Sequence, residues 1–163
     1  VVARLARVVL LASAVGVAPL AAQGMRYGVG GSGFVSLESG GGSDFGFGAA
    51  VDYYPGGPIG ARLDGSWIFR AGDDGVVLNG DVTYNLHTIS PSVHPFVVSG
   101  LSLRASQDFD ASTQLGFNAG AGINFHLRSS PIGLWADGRF QHFFSPGANG
   151  LQFMAGVRLG EGE

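Results

Sequence analysis

From residue 25 onward the apolar residues of this chain recur at every second position, and no stretch repeats them at helical spacing for several turns. A period of two belongs to a pleated strand, whose successive side chains leave opposite faces. The clearest run is Gln114 to Leu127, where Leu115, Phe117, Ala119, Ala121, Ile123, Phe125 and Leu127 alternate with Gln114, Gly116, Asn118, Gly120, Gly122, Asn124 and His126. Such a segment is about long enough to cross a bilayer as a tilted strand. The same reading sets Phe45, Phe47, Ala49, Val51 and Tyr53 against Asp44 and Asp52, and Ile59, Ala61, Leu63, Trp67 and Phe69 against Arg62, Asp64 and Ser66. Val76, Leu78, Val82, Tyr84 and Leu86 then face away from Asn79, Asp81, Thr83 and Asn85.

Less regular strands are predicted at Arg26 to Glu38, Val93 to Arg104, Leu134 to Phe143 and Leu151 to Leu159, so the count comes to about eight, an even number that leaves both ends on one side of a barrel. Turn-forming residues separate every pair. Gly, Asp and Ser fill Ser39 to Ser43, Ala71 to Gly75, Ala105 to Ser112 and Ser145 to Asn149, while Pro55-Gly56-Gly57-Pro58, Ser90-Pro91 and Ser129-Ser130-Pro131 punctuate the alternate connections. The fold class expected is all-β, an eight-stranded antiparallel up-and-down transmembrane barrel over residues 24–163, with no second domain and no module after Leu159.

Residues 1–23 read as a secretory signal: Arg4 and Arg7 precede an apolar run from Val8 to Leu20, and Leu20-Ala21-Ala22-Gln23 supplies a small-residue exit. A hydrophobic helix that stays attached is the alternative, disfavoured by the short run. Cysteine is absent, which removes disulfide frameworks and thiolate metal sites. The formal net charge of −3 gives no nucleic-acid footprint.

Alternation alone does not say which face meets water. A soluble barrel would carry Lys and Glu densely on its polar face. Here that face holds Gly, Asn, Ser, Asp and Arg, all nine basic residues are arginine, and the charged fraction of 13% is half the usual quarter. Small polar groups suit a narrow lumen, because an eight-stranded barrel has an interior only about wide enough for side chains to fill. The apolar face is therefore assigned to lipid, and a soluble lipocalin-like carrier becomes the lesser reading. Interface aromatics follow from the same assignment. If the Pro-bearing turns are periplasmic, Tyr27, Tyr53, Tyr54 and Tyr84 fall at that end with Trp135, and Phe45, Trp67, Phe69, Phe143 and Phe144 fall toward the outer rim.

The strand registers turn Arg26, Arg62, Arg139 and Arg158 inward with Asp52, Asp64, Asp81 and Asp137. Buried charges persist only when paired and hydrogen-bonded, so this balanced set is expected to form a salt-bridged plug; a narrow polar pore is the alternative. The strands beside Arg139 are expected to supply Asn118 and Gln152, with no second long cation at its height.

Four stretches resemble the outer-membrane β-barrel domain family that includes opacity-type surface antigens and the barrel of OmpA-like proteins. They are His94-Pro95-Phe96-Val97-Val98-Ser99-Gly100-Leu101, Leu115-Gly116-Phe117-Asn118-Ala119-Gly120-Ala121-Gly122-Ile123, Ala136-Asp137-Gly138-Arg139-Phe140 and Ala155-Gly156-Val157-Arg158-Leu159. The chain departs from that pattern at Asp137, where members often have Glu, and at Leu159-Gly160-Glu161-Gly162-Glu163, where members commonly end on an aromatic. The resemblance implies insertion by the outer-membrane assembly machinery and no cofactor.

Candidate chemistry is sparse. Gly28-Val29-Gly30-Gly31-Ser32-Gly33 matches a dinucleotide fingerprint, which works only where a helix follows, and none is predicted. His87, His94, His126 and His142 lack metal-ligand spacing, so no metal site is assigned. His142, on the apolar side of its strand with Ser145 three residues on, invites comparison with the lipid A 3-O-deacylase family. There the serine lies two residues after the histidine and a glutamate follows on the last strand. Gly150 to Gly160 holds no acid here, so that enzyme reading stays an alternative. The expected function is a non-enzymatic, monomeric integral outer-membrane protein whose loops serve structural or adhesive roles. Its expected partners are outer-membrane lipid, lipopolysaccharide and the assembly machinery, with no nucleic acid.

Overall fold

The computed structural model describes residues 26–39, 43–55, 57–69, 74–87, 89–90, 92–106, 113–127, 130–144 and 149–159. The expected signal segment, Gly56, Asp73, Pro91, Asp108 to Asp110 and Ser145 lie outside the described residues, as do the side chains of Arg26 and Tyr27. The eight strands are β1 (Arg26–Glu38), β2 (Ser43–Tyr54), β3 (Ile59–Phe69), β4 (Gly75–Asn85), β5 (Val93–Ser106), β6 (Gln114–His126), β7 (Ile132–Phe143) and β8 (Asn149–Leu159). Each pairs antiparallel with its sequence neighbour, and β1 pairs with β8 from Val29↔Leu159 to Glu38↔Gly150, closing the barrel. The expected fold is the observed one. β5 runs on to Ser106, while β7 and β8 start at Ile132 and Asn149, ahead of the expected Leu134 and Leu151.

Closure satisfies the backbone of every strand within the protein, which is the condition for a sheet to sit in hydrocarbon. No described helix is long and apolar enough to cross a membrane. The connection between β2 and β3 turns on Gly57, whose φ of 90° lies in the left-handed region that residues with a Cβ avoid.

The alternation appears directly in the burial. Phe45, Phe47, Leu63 and Leu101 are each at least 60% exposed, whereas Asp64 and Arg139 are 1% exposed. The apolar surface is thus on the outside and the charged surface within, the reverse of a water-soluble protein.

Three interface assignments are corrected. Tyr54, Trp135 and Phe143 are 6%, 2% and 4% exposed and point into the barrel. Parity explains it: Tyr54 shares its face with Asp52, and Trp135 and Phe143 share theirs with Asp137 and Arg139, because side chains two apart on a strand leave the same side. Phe45, Phe69, Phe144, Trp67, Tyr53 and Tyr84 do lie on the outward face.

Candidate functional site

The lumen holds the molecule's polar chemistry, and its centre is Arg139 on β7. Its Nε donates to Asp137 Oδ1 at 2.9 Å and its terminal nitrogens donate to Asp137 Oδ2 (3.1 Å), Asp64 (3.0 Å) and Asp81 (2.7 Å). A guanidinium has five N–H donors in a planar fork and no acceptor, so one arginine can serve three carboxylates at once. Arg62 on β3 donates to Asp52 (2.6 Å) and to Asp137 (3.1 Å), and its guanidinium lies 4.7 Å from the Trp135 ring and 5.0 Å from that of Phe96. Those ring faces add cation–π attraction where water is excluded. Arg158 on β8 donates to Asp52 (2.9 Å) and to Asn124 Oδ1 (2.7 Å).

The carboxylates have neutral partners too. Asn79 donates to Asp64 at 2.6 Å and accepts from Ser102 at 2.7 Å; Asn118 donates to Asp81 at 2.8 Å and to the Ser102 hydroxyl at 3.1 Å. Gln141 donates to Gln152 at 2.8 Å. Nearer the rim opposite the Pro-bearing turns, Arg104 donates to Glu38 (2.5 Å) and Asp44 (3.5 Å), and its guanidinium lies 5.6 Å from the Phe143 ring.

Strand order turns these distances into a statement about the pore. In a closed ring of eight, β3 faces β7 and β5 faces β1. The Arg62–Asp137, Arg139–Asp64 and Arg104–Glu38 bridges therefore run from one wall to the opposite one. Side chains that meet across the full width leave no continuous channel at their level.

Of the lumen residues expected from the sequence, Asp52, Asp64, Asp81, Asp137, Arg62, Arg139 and Arg158 come together in one network. Arg26 is in β1, paired with Tyr54 across the sheet. A second cation reaches Arg139 from the opposite wall, where Arg62 of β3 shares Asp137 with it. The register partners of Arg139 are Gly120 and Gln152, with Asn118 opposite Gln141 instead. Arg104, Glu38 and Asp44 were missed, as was the Asn79–Ser102–Asn118 relay. All carry the inward parity of their strands, which is the signal that could have found them.

The glycines make room for this filling. A Cβ on Gly122 would come within 2.5 Å of the Phe96 ring and of the Ala136 carbonyl oxygen, and one on Gly28 within 2.4 Å of the Arg158 side chain. The fingerprint-like run that begins at Gly28 is thus a strand wall against which Arg158 lies.

Among the histidines, the His94 and His126 rings meet edge-to-face at 4.6 Å, while His87 is exposed. His142 is half-buried on the outward side of β7 and its Nδ1 lies 2.6 Å from Asn149 Oδ1.

No protein-family model matches the sequence, and no curated protein matches it either. Solved structures do match. Neisserial surface protein A superposes with a TM-score of 0.64 at 18% identity, covering 83% of this chain and 96% of that one. The N-terminal β-barrel domain of Pseudomonas aeruginosa OprF superposes with a TM-score of 0.60 at 15% identity, covering 83% of this chain and 99% of that one. The fold is that of the small outer-membrane β-barrels. The outer-membrane enzyme PagL shares it, with a TM-score of 0.52 at 15% identity over 80% of this chain and 98% of that one. The outer-membrane barrel fold hosts an enzyme as well as surface proteins, so function here rests on the side chains and not on the architecture.

Proposed function

We propose that the chain is a non-enzymatic, monomeric integral protein of the bacterial outer membrane, closed by a salt-bridged plug, whose connections at the outer rim carry structural or adhesive roles. The observation that carries this reading is the inversion of the barrel: a large-residue apolar wall outside, and inside it charges bridged from wall to wall. Lipid is the solvent that suits such a wall, and a plugged lumen leaves the surface and the loops as the parts that meet other molecules. The partners proposed are outer-membrane lipid, lipopolysaccharide and the machinery that inserts barrels, with no cofactor.

In this reading the turns containing Pro55, Pro58 and Pro131 are periplasmic, and the connection between β5 and β6 is at the cell surface. A tag inserted after Phe109 is then labelled on intact cells and one at Gly56 is not; the opposite pattern inverts the orientation. Heat-modifiable migration in detergent gels is expected of the membrane-extracted protein. Recovery in the soluble periplasmic fraction with identical mobility before and after boiling would refute the membrane assignment.

His142 favours one second reading, a lipid-modifying acyl hydrolase, because an imidazole oriented by Asn149 stands on the lipid-facing wall. Mass analysis of lipid A from cells expressing the chain tests it. Loss of one acyl group that depends on His142 would establish hydrolysis, and unaltered lipid A is the outcome expected here.

A further inference from the structure

The dipeptide Asn-Gly occurs twice in the chain, at Asn79-Gly80 and at Asn149-Gly150. Asparagine is a chemically labile residue, because the backbone nitrogen that follows it can reach its side-chain amide carbon; a following glycine has no Cβ to hinder that approach. The fold sets the two copies in opposite circumstances.

Asn79 lies in the middle of β4 and is 0% exposed. Its carboxamide donates to Asp64 at 2.6 Å and accepts from Ser102 at 2.7 Å, and Gly80 is paired on both sides, with Leu63 and with Leu101. Bringing that carboxamide onto the Gly80 nitrogen would break two buried hydrogen bonds and part the sheet in mid-barrel. Asn149 is instead the first residue of β8, half-buried at the rim, with its Oδ1 2.6 Å from Nδ1 of half-buried His142. His142↔Asn149 is the terminal pair of the β7–β8 ladder and Glu38↔Gly150 that of the β1–β8 ladder, beyond which the Ser39 N–H donates to the Asn149 carbonyl oxygen at 2.9 Å. End rungs open by fraying, at a fraction of the free energy that opens the middle of a sheet.

We propose that Asn149 is a site of spontaneous covalent modification, losing its amide to the Gly150 backbone nitrogen, and that the lumen protects Asn79 from the same reaction. When the end of β8 opens, the Gly150 nitrogen gives its proton to solvent base and attacks Cγ of Asn149. The new N–Cγ bond closes a five-membered imide, the Cγ–Nδ2 bond breaks, and Nδ2 leaves as ammonia. Water then opens the ring. Cleavage of the N–Cγ bond leaves an aspartate; cleavage of the bond from that nitrogen to the Asn149 backbone carbonyl carbon leaves an isoaspartate. Either product sets a carboxylate beside His142 in place of the carboxamide, and the isoaspartate also lengthens the main chain by one carbon at the start of β8.

The test holds the refolded full chain in detergent at mildly alkaline pH, and the same chain in denaturant at that pH. Peptides spanning each Asn-Gly pair are then quantified by mass spectrometry, with enzymatic methylation reporting isoaspartate. In denaturant the two pairs are expected to convert at similar rates. In the folded barrel Asn149 is expected to convert at least about a hundredfold faster than Asn79, as a frayed end does against the middle of a stable sheet. Gly150→Ala, whose Cβ would stand 3.2 Å from the Leu37 carbonyl oxygen, is expected to slow conversion severalfold in the folded state. The proposal is overturned by an Asn149 that keeps its amide in the folded barrel while the denatured chain converts. Equal rates at Asn79 and Asn149 in the folded barrel, an Asn79 that resists in denaturant too, or a folded Gly150→Ala barrel that converts as fast as the wild type would overturn it as well. The wild-type comparison decides even where Gly150→Ala does not fold.

Discussion

Replacing Arg139 with alanine is the sharpest test of the plug. The substitution removes the hydrogen bonds from one guanidinium to Asp137, Asp64 and Asp81. Removing one partner of a buried ion pair costs about 3–5 kcal/mol, mostly because the remaining charge is left in a poor dielectric. Three carboxylates are affected here, but each keeps a partner: Asp137 has Arg62, Asp64 has Asn79 and Asp81 has Asn118. The cost should therefore stand near the upper end of that range, at about 5 kcal/mol, and not at three times it. Asp81→Asn supplies a second, opposite arm: it removes the charge of one carboxylate that shares Arg139 and keeps a hydrogen-bonding group in place, so it should cost only about 1 kcal/mol, the scale of one neutral hydrogen bond. Added to Arg139→Ala it should recover part of the loss, since the two groups lie 2.7 Å apart and belong to one network. Urea unfolding in lipid vesicles, followed by the fluorescence of Trp135 against the lumen cation Arg62, measures all three. An Arg139→Ala barrel whose stability falls by less than about 1 kcal/mol, or an Asp81→Asn barrel as unstable as Arg139→Ala, would refute the reasoning.

Other consequences are more direct. The wild type should show negligible steady conductance in planar bilayers; Arg104→Ala, which opens the upper bridge but leaves the Arg139 and Arg62 tiers, should stay closed, whereas Arg104→Ala combined with Arg139→Ala should flicker open. A brominated acyl chain should quench Trp67 on the outward face and spare Trp135 in the lumen, as single-tryptophan variants can show. Gly122→Ala, whose Cβ would press on Phe96 and on the Ala136 carbonyl oxygen, should destabilise the barrel by about 1–3 kcal/mol in the same urea assay, the usual range for overpacking.

Most of the architecture could be read from one periodicity. Strand positions, their number and the inward side of each follow from alternation, because a side chain's face is fixed by parity alone. Where that rule was set aside, the reading failed: Trp135 and Phe143 were assigned to the membrane interfaces by residue type although they share parity with Asp137 and Arg139. Lumen membership was equally legible, and the network contains each described residue expected of it. Who bonds to whom was not. Arg139 reaches β3 and β4 only because closure of the ring brings those walls opposite β7, and that depends on the stagger with which eight strands join, which no single strand records. The pairing of Arg104 with Glu38, 66 residues away, is hidden for the same reason. His142 was legible as an outward histidine, but its partner Asn149 lies across the β7–β8 register, one residue ahead of the Gly150 to Gly160 stretch that holds no acid.

The same geometry says when the plug forms. Arg62 and Asp137 are 75 residues apart, as are Arg139 and Asp64, and Arg158 and Asp52 are 106 apart. None of these pairs lies on neighbouring strands, so none can form while hairpins are assembling one against the next; all appear only when β1 meets β8. In the membrane reading proposed above, hydrophobic matching to lipid drives the strands in, and the charges cross sheltered on the face that becomes the lumen. The wall-to-wall bridges are then a property of the closed state, absent from the transition state wherever closure comes last, whereas Arg62–Asp52 joins register partners on β2 and β3 and can form with that hairpin. A weakened plug should consequently leave insertion rates nearly unchanged and accelerate unfolding, because interactions formed after the barrier register in the unfolding rate alone. The wall-to-wall Arg–Asp bridges thereby act as a clasp on a finished barrel and not as a template for building it, which in the membrane reading proposed above reconciles a costly buried charge set with an apolar wall that lipid already holds.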